Sequence, residues 1–505
     1  MKRLLQHGPL LLALVAVRAV AERINHEGRI LGSAPVVASP ILFNTPEADA
    51  VVSALQVFPV THPWNEDIAR RPVLPNSDAM IAQIASDLSA NRRTLRVFHE
   101  MNFVLVPDTQ PLVPINLVDY PDESDPSPYP IPSELPIEGW PTETGGQTLP
   151  QWQQDISDIG GDRHAIIAQP GTGFVWETWQ TKLGTNGQWE ASNGAKFNLG
   201  TNELRPLGWT SADAAGLPMF PALVRFDECQ RGMVEHAVRL VVKRTRREYI
   251  YPATHYASTT PAGQTNVPAM GQRLRLKSGF VIPDDWTNPE KATLKALKKY
   301  GAMVADNGSF FSISATPDDR WPSDVFDHLS TLSLTNFEVV QTTGPNEGPR
   351  SPGGPAANAG PDQTVFWGTV VNLQGSVSFT GLPPTIQWKP YAGPGVVTLG
   401  DATQTNTTAT FSAPGVYTLE LSADDGVHAV AYDAVNITVA GVIRAGIAVS
   451  GTNAHLAWTG GSPPFVLEQT ATLPASAWSP VLTTIVQSAT LPMSNGASFF
   501  RVREP

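Results

Sequence analysis

The chain has 505 residues, of which 41% are apolar, so it is long enough to bury several separate cores. A formal net charge of -12 argues against a nucleic-acid binder, which needs a concentrated basic face to meet phosphates. The single cysteine, Cys229, excludes an internal disulfide framework, and with no reactive-cysteine motif around it an inert core thiol is expected.

Residues 1–21 have the form of a secretory signal: Lys2 and Arg3, the apolar run from Pro9 to Val17, then Ala19-Val20-Ala21 with cleavage expected after Ala21. Arg18 interrupts the apolar stretch well short of the roughly 20 residues that span a bilayer, and no later segment reads as transmembrane. A secreted or cell-surface protein is therefore expected.

Residues 22–342 read as a β-rich core. Behind Ser77 as cap, Met80, Ile81, Ile84, Ala85 and Leu88 form a helical stripe. A second helix has Thr287 as cap, Pro289 in the first turn, Glu290 completing a capping box and Gly301 as terminator. Strands are expected at 103–106, 164–168, 174–181, 223–227, 236–242, 273–280 and 310–315; Arg273-Leu274-Arg275-Leu276-Lys277 alternates as a strand with one wet face would. The pattern points to an antiparallel β-sandwich or jelly-roll-like core with a few helices. The Pro-dense stretch 119–141 is expected to be an ordered surface loop, a common place for functional groups.

Residues 343–357 are rich in Pro and Gly and read as an exposed linker. Beyond it, two small immunoglobulin- or fibronectin-like β-sandwich modules are expected, at 358–440 and 441–505. The first runs from Ala359-Gly360-Pro361-Asp362 through Ile386-Gln387-Trp388, Gly415-Val416-Tyr417-Thr418-Leu419 and Asp424-Asp425-Gly426 to Val435-Asn436-Ile437-Thr438-Val439. It resembles the PKD domain, which implies a spacer or adhesive role with Trp388 and Tyr417 in the core.

The core lacks a G-x-S-x-G elbow, a Walker loop, a G-x-G-x-x-G fingerprint, an H-E-x-x-H helix and a C-x-x-C pair, so chemistry must come from scattered side chains. His164 follows Gly161-Asp162-Arg163 at the mouth of a strand, and Asp155 and Asp158 could join Asp162 around a calcium ion, although the spacing fits no EF-hand. Glu177 lies between Trp176 and Trp179, an arrangement that suits a sugar, although core aromatics with one exposed acid are the plainer account. Asp213, Arg225, Asp227 and Glu228 follow Trp209 near expected strand ends, and paired carboxylates are what glycoside hydrolysis requires. His255 and Tyr256 close a Tyr-rich segment behind the basic run Lys243–Arg247, which would suit a lyase acting beside a uronate; a solvated strand end followed by a packed aromatic loop is the plainer account.

The segments PWNEDI at 63–68, GDRH at 161–164, GWTSADAAGLP at 208–218 and GAMVADNGSFFSIS at 301–314 resemble an uncharacterised group of exported bacterial proteins, a likeness that transfers no catalytic residue. The leading expectation is a secreted polysaccharide-active enzyme, most simply a glycoside hydrolase with catalytic Asp227, Glu228, Glu177, Asp213, His255 and His164. Trp176, Trp179, Trp209, Tyr256 and Arg225 would bind an extracellular polysaccharide, with no cofactor beyond a possible calcium ion. A polysaccharide lyase and a non-catalytic adhesive protein remain alternatives.

Overall fold

The computed structural model describes residues 23–155, 161–341, 354–461, 463–473, 475, 477–493 and 498–503. The expected signal and most of the expected linker lie outside the described residues. Ahead of the linker the chain forms, in order, β1 (Ile41–Leu42), α1 (Pro46–Ala54), α2 (Ser77–Asp87), β2 (Leu95–Phe98), β3 (Val104–Leu105), β4 (Ile115–Leu117) and α3 (Leu149–Gln154). Then come β5 (Ala165–Gln169), β6 (Phe174–Trp179), β7 (Lys182–Leu183), β8 (Trp189–Ala191), β9 (Asn193–Asn198), α4 (Phe226–Arg231) and β10 (Val238–Val242). They are followed by β11 (Arg273–Leu276), α5 (Asn288–Lys299), β12 (Ala302–Asn307), β13 (Phe311–Ser314) and β14 (Phe337–Val339).

One sheet has the order β1-β3-β5-β6-β9, a larger one β14-β11-β12-β10-β13-β2, and a small one β4-β8-β7. The protein is mainly β, with immunoglobulin- and PKD-like sheets after residue 354. The pairing ahead of the linker is mixed rather than uniformly antiparallel: β3 and β5, β10 and β12, and β13 and β2 run parallel. Those strands are separated in sequence by crossovers that carry other elements, and only such long connections permit parallel neighbours.

A single apolar core draws on both larger sheets, joining Leu105, Ile166 and Val175 to Leu240, Met303 and Ile313. Ala165, Ile167 and Trp176 point to the other side of the β5–β6 pair, where Tyr129, Ile131 and Ile137 of the Pro-rich loop cover them. Burial on both faces explains why β5 reads as a continuous apolar run instead of an alternating one. The Pro-rich loop is thus the lid on a second core.

The capping box predicted for α5 is present: Thr287 N donates to Glu290 Oε2 at 2.9 Å and Glu290 N to Thr287 Oγ1 at 3.3 Å. Gly301 ends it at φ +69, where an added Cβ would collide with the Leu274 carbonyl oxygen. Ser77 does not cap α2; it is buried, and its hydroxyl accepts from Val339 N at 2.8 Å, tying α2 to β14.

Two strand expectations fail instructively. Both arginines of β11 are buried, because segment 63–71 lies over that face. Arg273 donates to the Tyr300 and Pro63 carbonyls and Arg275 to those of Ile68, Ala69 and Arg71. Buried guanidinium groups thus replace water with main-chain acceptors. Residues 223–227 are not a strand: after a bridge from Val224 to Ala315 the chain enters α4, with Asp227 and Glu228 in its first turn and Gly232 closing it at φ +84. Acids at a helix N-terminus and a left-handed glycine past its end are helix signals that the alternation reading overrode.

After residue 354, Gln363–Phe366, Ala431–Ala440, Gly415–Asp424 and Thr385–Ala392 form one sheet, and Val371–Gln374, Asn406–Phe411 and Val397–Leu399 form another. Trp388 and Tyr417 are fully buried between them. The Trp388 indole donates to the Thr405 carbonyl at 3.1 Å and the Tyr417 hydroxyl to that of Ala413 at 2.8 Å, so both are core anchors with satisfied polar ends. Two further sheets, one holding Asn453–Thr459 and the other Phe465–Thr470, enclose Leu456, Trp458, Phe465 and Leu467.

Candidate functional site

A cleft of about 340 Å³ is lined by Tyr120, Asp162, His164, Trp179, Asn193, His255, Asp306 and Asn307, together with the 210–214 turn. Tyr120 comes from the start of the Pro-rich loop, Trp179 and Asn193 from the facing ends of β6 and β9, and Asp306 and Asn307 from the end of β12. The turn is held from within: Ser211 Oγ accepts from Asp213 N and has the Leu217 and Asp213 carbonyls, at 2.7 and 2.8 Å, as alternative acceptors for its one hydrogen. Gly216, at φ +72, brings it against Thr254, where a Cβ would collide with Thr254 Oγ1.

Asp306 reaches the cleft through a bulge. Leu240 of β10 pairs with Val304 but Val241 pairs with Asp306, so Ala305 is the extra residue. Regular alternation would set Asp306 on the face of Val304; the bulge transfers it to the face of Arg239. There Arg239 holds Asp213 with two bonds of 2.7 and 3.0 Å and Asp306 with a third of 2.9 Å. The Asp306 side chain is 21% exposed. Loss of water around it outweighs the attraction of Arg239 and, with Asp213 and Asp162 repelling, pushes its carboxyl up to about 7.

The two histidines of the cleft differ in kind. His255 places Nδ1 2.8 Å from the Ala214 carbonyl oxygen. A carbonyl can only accept, so Nδ1 carries hydrogen and the neutral ring keeps a bare lone pair on Nε2. His164 has both nitrogens committed to acceptors, Nδ1 to Glu138 Oε2 and Nε2 to the Ala212 carbonyl, each at 2.9 Å. Burial would lower its pKa, but the Glu138 carboxylate prevails and holds it up at about 9, so it is a fixed imidazolium beneath the cleft, unable to accept a proton.

Two amide side chains complete the wall. The Asn193 amide nitrogen donates to the Ser211 carbonyl and that of Asn307 to the Ala257 carbonyl, which fixes both side-chain orientations. The Oδ1 atoms on the other side are buried and have no protein partner. Tyr120 and Trp179 lie with ring centres 6.3 Å apart, and the Trp179 indole donates to Asp162 Oδ1 at 3.3 Å, leaving the Asp162 carboxylate exposed.

Of the residues singled out in the sequence, the structure brings His164, Asp162, Trp179 and His255 to the cleft, with Tyr256 stacked on His255. Asp213 is behind the wall with both oxygens on Arg239. Asp227, Glu228 and Arg225 are elsewhere, in an ion network on α4. Arg225 and Arg231 hold Asp227, while Arg225 and His236 hold Glu228, whose pKa is lowered far below the carboxylate range by those cations despite burial. Neither carboxylate lines the cleft. Trp176 packs in the second core, and Trp209 lies over the Arg205 guanidinium at 5.5 Å. Asp155 accepts from Gln147 while Asp162 turns to the cleft; Asp158 lies outside the described residues, among which no group of three or more potential metal ligands gathers. Cys229 is a buried thiol whose pKa burial raises well above normal. Asp306, Asn193 and Asn307 were missed: Asp306-Asn307-Gly308 reads as a turn, and the bulge that re-aims Asp306 leaves no mark in the sequence.

Glu177 is wholly buried, on the face of β6 opposite Trp176, and its oxygens accept from Met219 N and Phe220 N at 2.8–2.9 Å. Burial pushes its carboxyl up to about 7 in spite of those bonds. It anchors the turn leading to α4. Glu177→Ala leaves two buried N–H groups unpaired and is expected to cost about 2–4 kcal/mol in urea unfolding. A variant of undiminished stability would remove the anchoring role.

Residues 359–439 match a family model of the PKD domain. No curated protein matches the chain. Among solved structures, the PKD domain from KIAA 1837 protein is similar at 26% identity over 16% of this chain and 83% of that one, with a TM-score of 0.15. The PKD domain (329-428) from human KIAA0319 is similar at 16% identity over 20% and 88%, with a TM-score of 0.16. Fibronectin(III)-like modules of Clostridium thermocellum CbhA are similar at 10% identity over 29% and 83%, with a TM-score of 0.15. With its paired sheets closed over Trp388 and Tyr417, the segment 359–439 is a PKD domain.

Proposed function

We propose that the cleft is the active site of an exported, polysaccharide-active enzyme, most simply a glycoside hydrolase, with the PKD domain as a spacer. The observation that carries this reading is a cleft walled by the Tyr120 and Trp179 rings that also presents two acids, Asp162 and Asp306. An indole and a phenol give sugar rings an apolar wall, and a pair of acids beside them is what glycosidic cleavage requires. Protonated Asp306 gives its proton to the glycosidic oxygen as the bond to the anomeric carbon breaks. Asp162 takes a proton from the water that forms the new bond to that carbon, so one water is consumed and one reducing end appears. The arrangement moves the acid pair from Asp227 and Glu228 to Asp306 and Asp162.

Incubating the full chain with a panel of plant, algal and bacterial polysaccharides is expected to release reducing ends from at least one, and Asp162→Asn to lower that release by about a hundredfold or more without a change in unfolding midpoint. Retention on glycans with no soluble product would leave an adhesive protein instead. The free Nε2 of His255 favours a second reading, a lyase that removes the proton beside a uronate carboxylate; its products carry a conjugated double bond, and near-ultraviolet absorbance separates the two.

A further inference from the structure

A row of rings leaves the cleft at His255. Tyr256 lies parallel to His255 with ring centres 5.7 Å apart, and Tyr249 lies 6.3 Å beyond Tyr256 at 17°. On the middle ring, the Arg247 guanidinium lies 5.5 Å from the Tyr256 ring centre, with Nε 3.3 Å from the Tyr256 hydroxyl. The backbone fixes the row: Arg247 N donates to the Thr260 carbonyl at 2.7 Å, and Tyr249 bridges to Met270.

The basic run that contains Arg247 is not a uniform solvated face. Arg244 is held by Asp87 and Arg246 by Glu248, whereas Arg247 is exposed and has no acidic partner among the described residues. A guanidinium held on a ring and left without an acid presents its donors in a planar fork, the geometry that meets a carboxylate or a sulfate with two bonds.

We propose that Arg247, Tyr256 and Tyr249 form a subsite for an anionic sugar residue, a uronate or a sulfate ester, next to the reaction centre. This rests on the cleft being carbohydrate-active and narrows its substrate to acidic glycans. The ring faces left uncovered give sugar C–H groups an apolar platform while Arg247 takes the anion, and the charge choice is local, set against an acidic molecule overall.

The test titrates the full chain at low and physiological salt with an oligogalacturonide, a sulfated galactan oligosaccharide and a neutral xylo-oligosaccharide, each by calorimetry. The anionic ligands are expected to bind roughly tenfold more tightly than the neutral one, and Arg247→Gln to remove that preference while leaving neutral binding unchanged. Whichever anionic ligand shows the larger loss identifies carboxylate or sulfate as the recognised group. Lys295→Gln, the same charge change on α5, which lines no part of the cleft, is expected to have no effect. Unaltered anionic binding in Arg247→Gln, or an equal loss in Lys295→Gln, overturns the subsite. Binding and cleavage of the neutral ligand with no anionic preference overturns the subsite and leaves the hydrolytic cleft standing; no binding of any sugar overturns both.

Discussion

Asp306→Asn is expected to lower kcat for reducing-end release by about 10²- to 10⁴-fold while leaving the thermal unfolding midpoint within a few degrees of the parent. The acid in the proposed reaction must hold a proton near neutral pH, and Asp306 has the means. It has lost most of its water and faces Asp213 and Asp162 across Arg239, so its carboxyl is pushed up to about 7. The proton is present below that value and lost above it. Activity of the parent should therefore fall as pH rises through about 7, and the residual activity of Asp306→Asn should lack that alkaline limb. Parent activity that keeps rising from about pH 7 to 9 would remove Asp306 as the donor.

Arg239→Met is expected to destabilise the protein by about 3–5 kcal/mol at neutral pH, read from the urea midpoint. Arg239 is the only cation that an ion pair places on both Asp213 and Asp306 among the described residues, and it also reaches Ser314 Oγ at 3.3 Å. Removing it leaves both carboxylates without their cation, and strands Asp213 in a place where water cannot replace the lost charge. Those carboxylates can be neutralised by protonation, so the loss should shrink as the pH is lowered. The double variant Asp213→Asn, Arg239→Met should recover part of the loss, because it leaves one carboxylate without its cation instead of two. A variant as stable as the parent at about pH 8 would mean that the network contributes nothing to holding β12 and the 210–214 turn together.

The elements most legible in the sequence were those written in local signals. The α5 helix was readable because cap, first-turn proline, capping-box glutamate and terminal glycine all lie within its own ends, and these contacts need no distant partner. The PKD segment was readable for a similar reason: short β runs separated by Gly, Pro and Asp recur in an order that a sandwich imposes. The Arg-Leu-Arg-Leu run of β11 was legible as a strand but not as a buried one, since the carbonyls that satisfy its arginines come from residues about 200 positions earlier.

The site divides along the same line. The residue types (acids, histidines, indoles and a Pro-rich loop in a chain without standard catalytic motifs) were in the sequence, which singled out His164 and His255 for catalysis, Trp179 for sugar binding and Asp162 for calcium; the structure places all four on the cleft. Which carboxylates are spent was not in the sequence. Asp227 and Glu228 look free in sequence and are held by Arg225, Arg231 and His236, while Asp306 looks like a turn and lines the cleft.

By itself, the sequence determined the mainly β composition, the PKD domain, the α5 helix and the supply of chemical groups, because each of these depends on neighbours a few residues away. The tertiary structure alone decided which groups face one another. A bulge of one residue at Ala305 changes the face on which Asp306 stands, Glu138 and the Ala212 carbonyl hold His164 as a fixed cation, and the Ala214 carbonyl sets the hydrogen of His255 on Nδ1. Charge, tautomer and free lone pairs are properties of contacts, and contacts between distant segments exist only once the chain has folded.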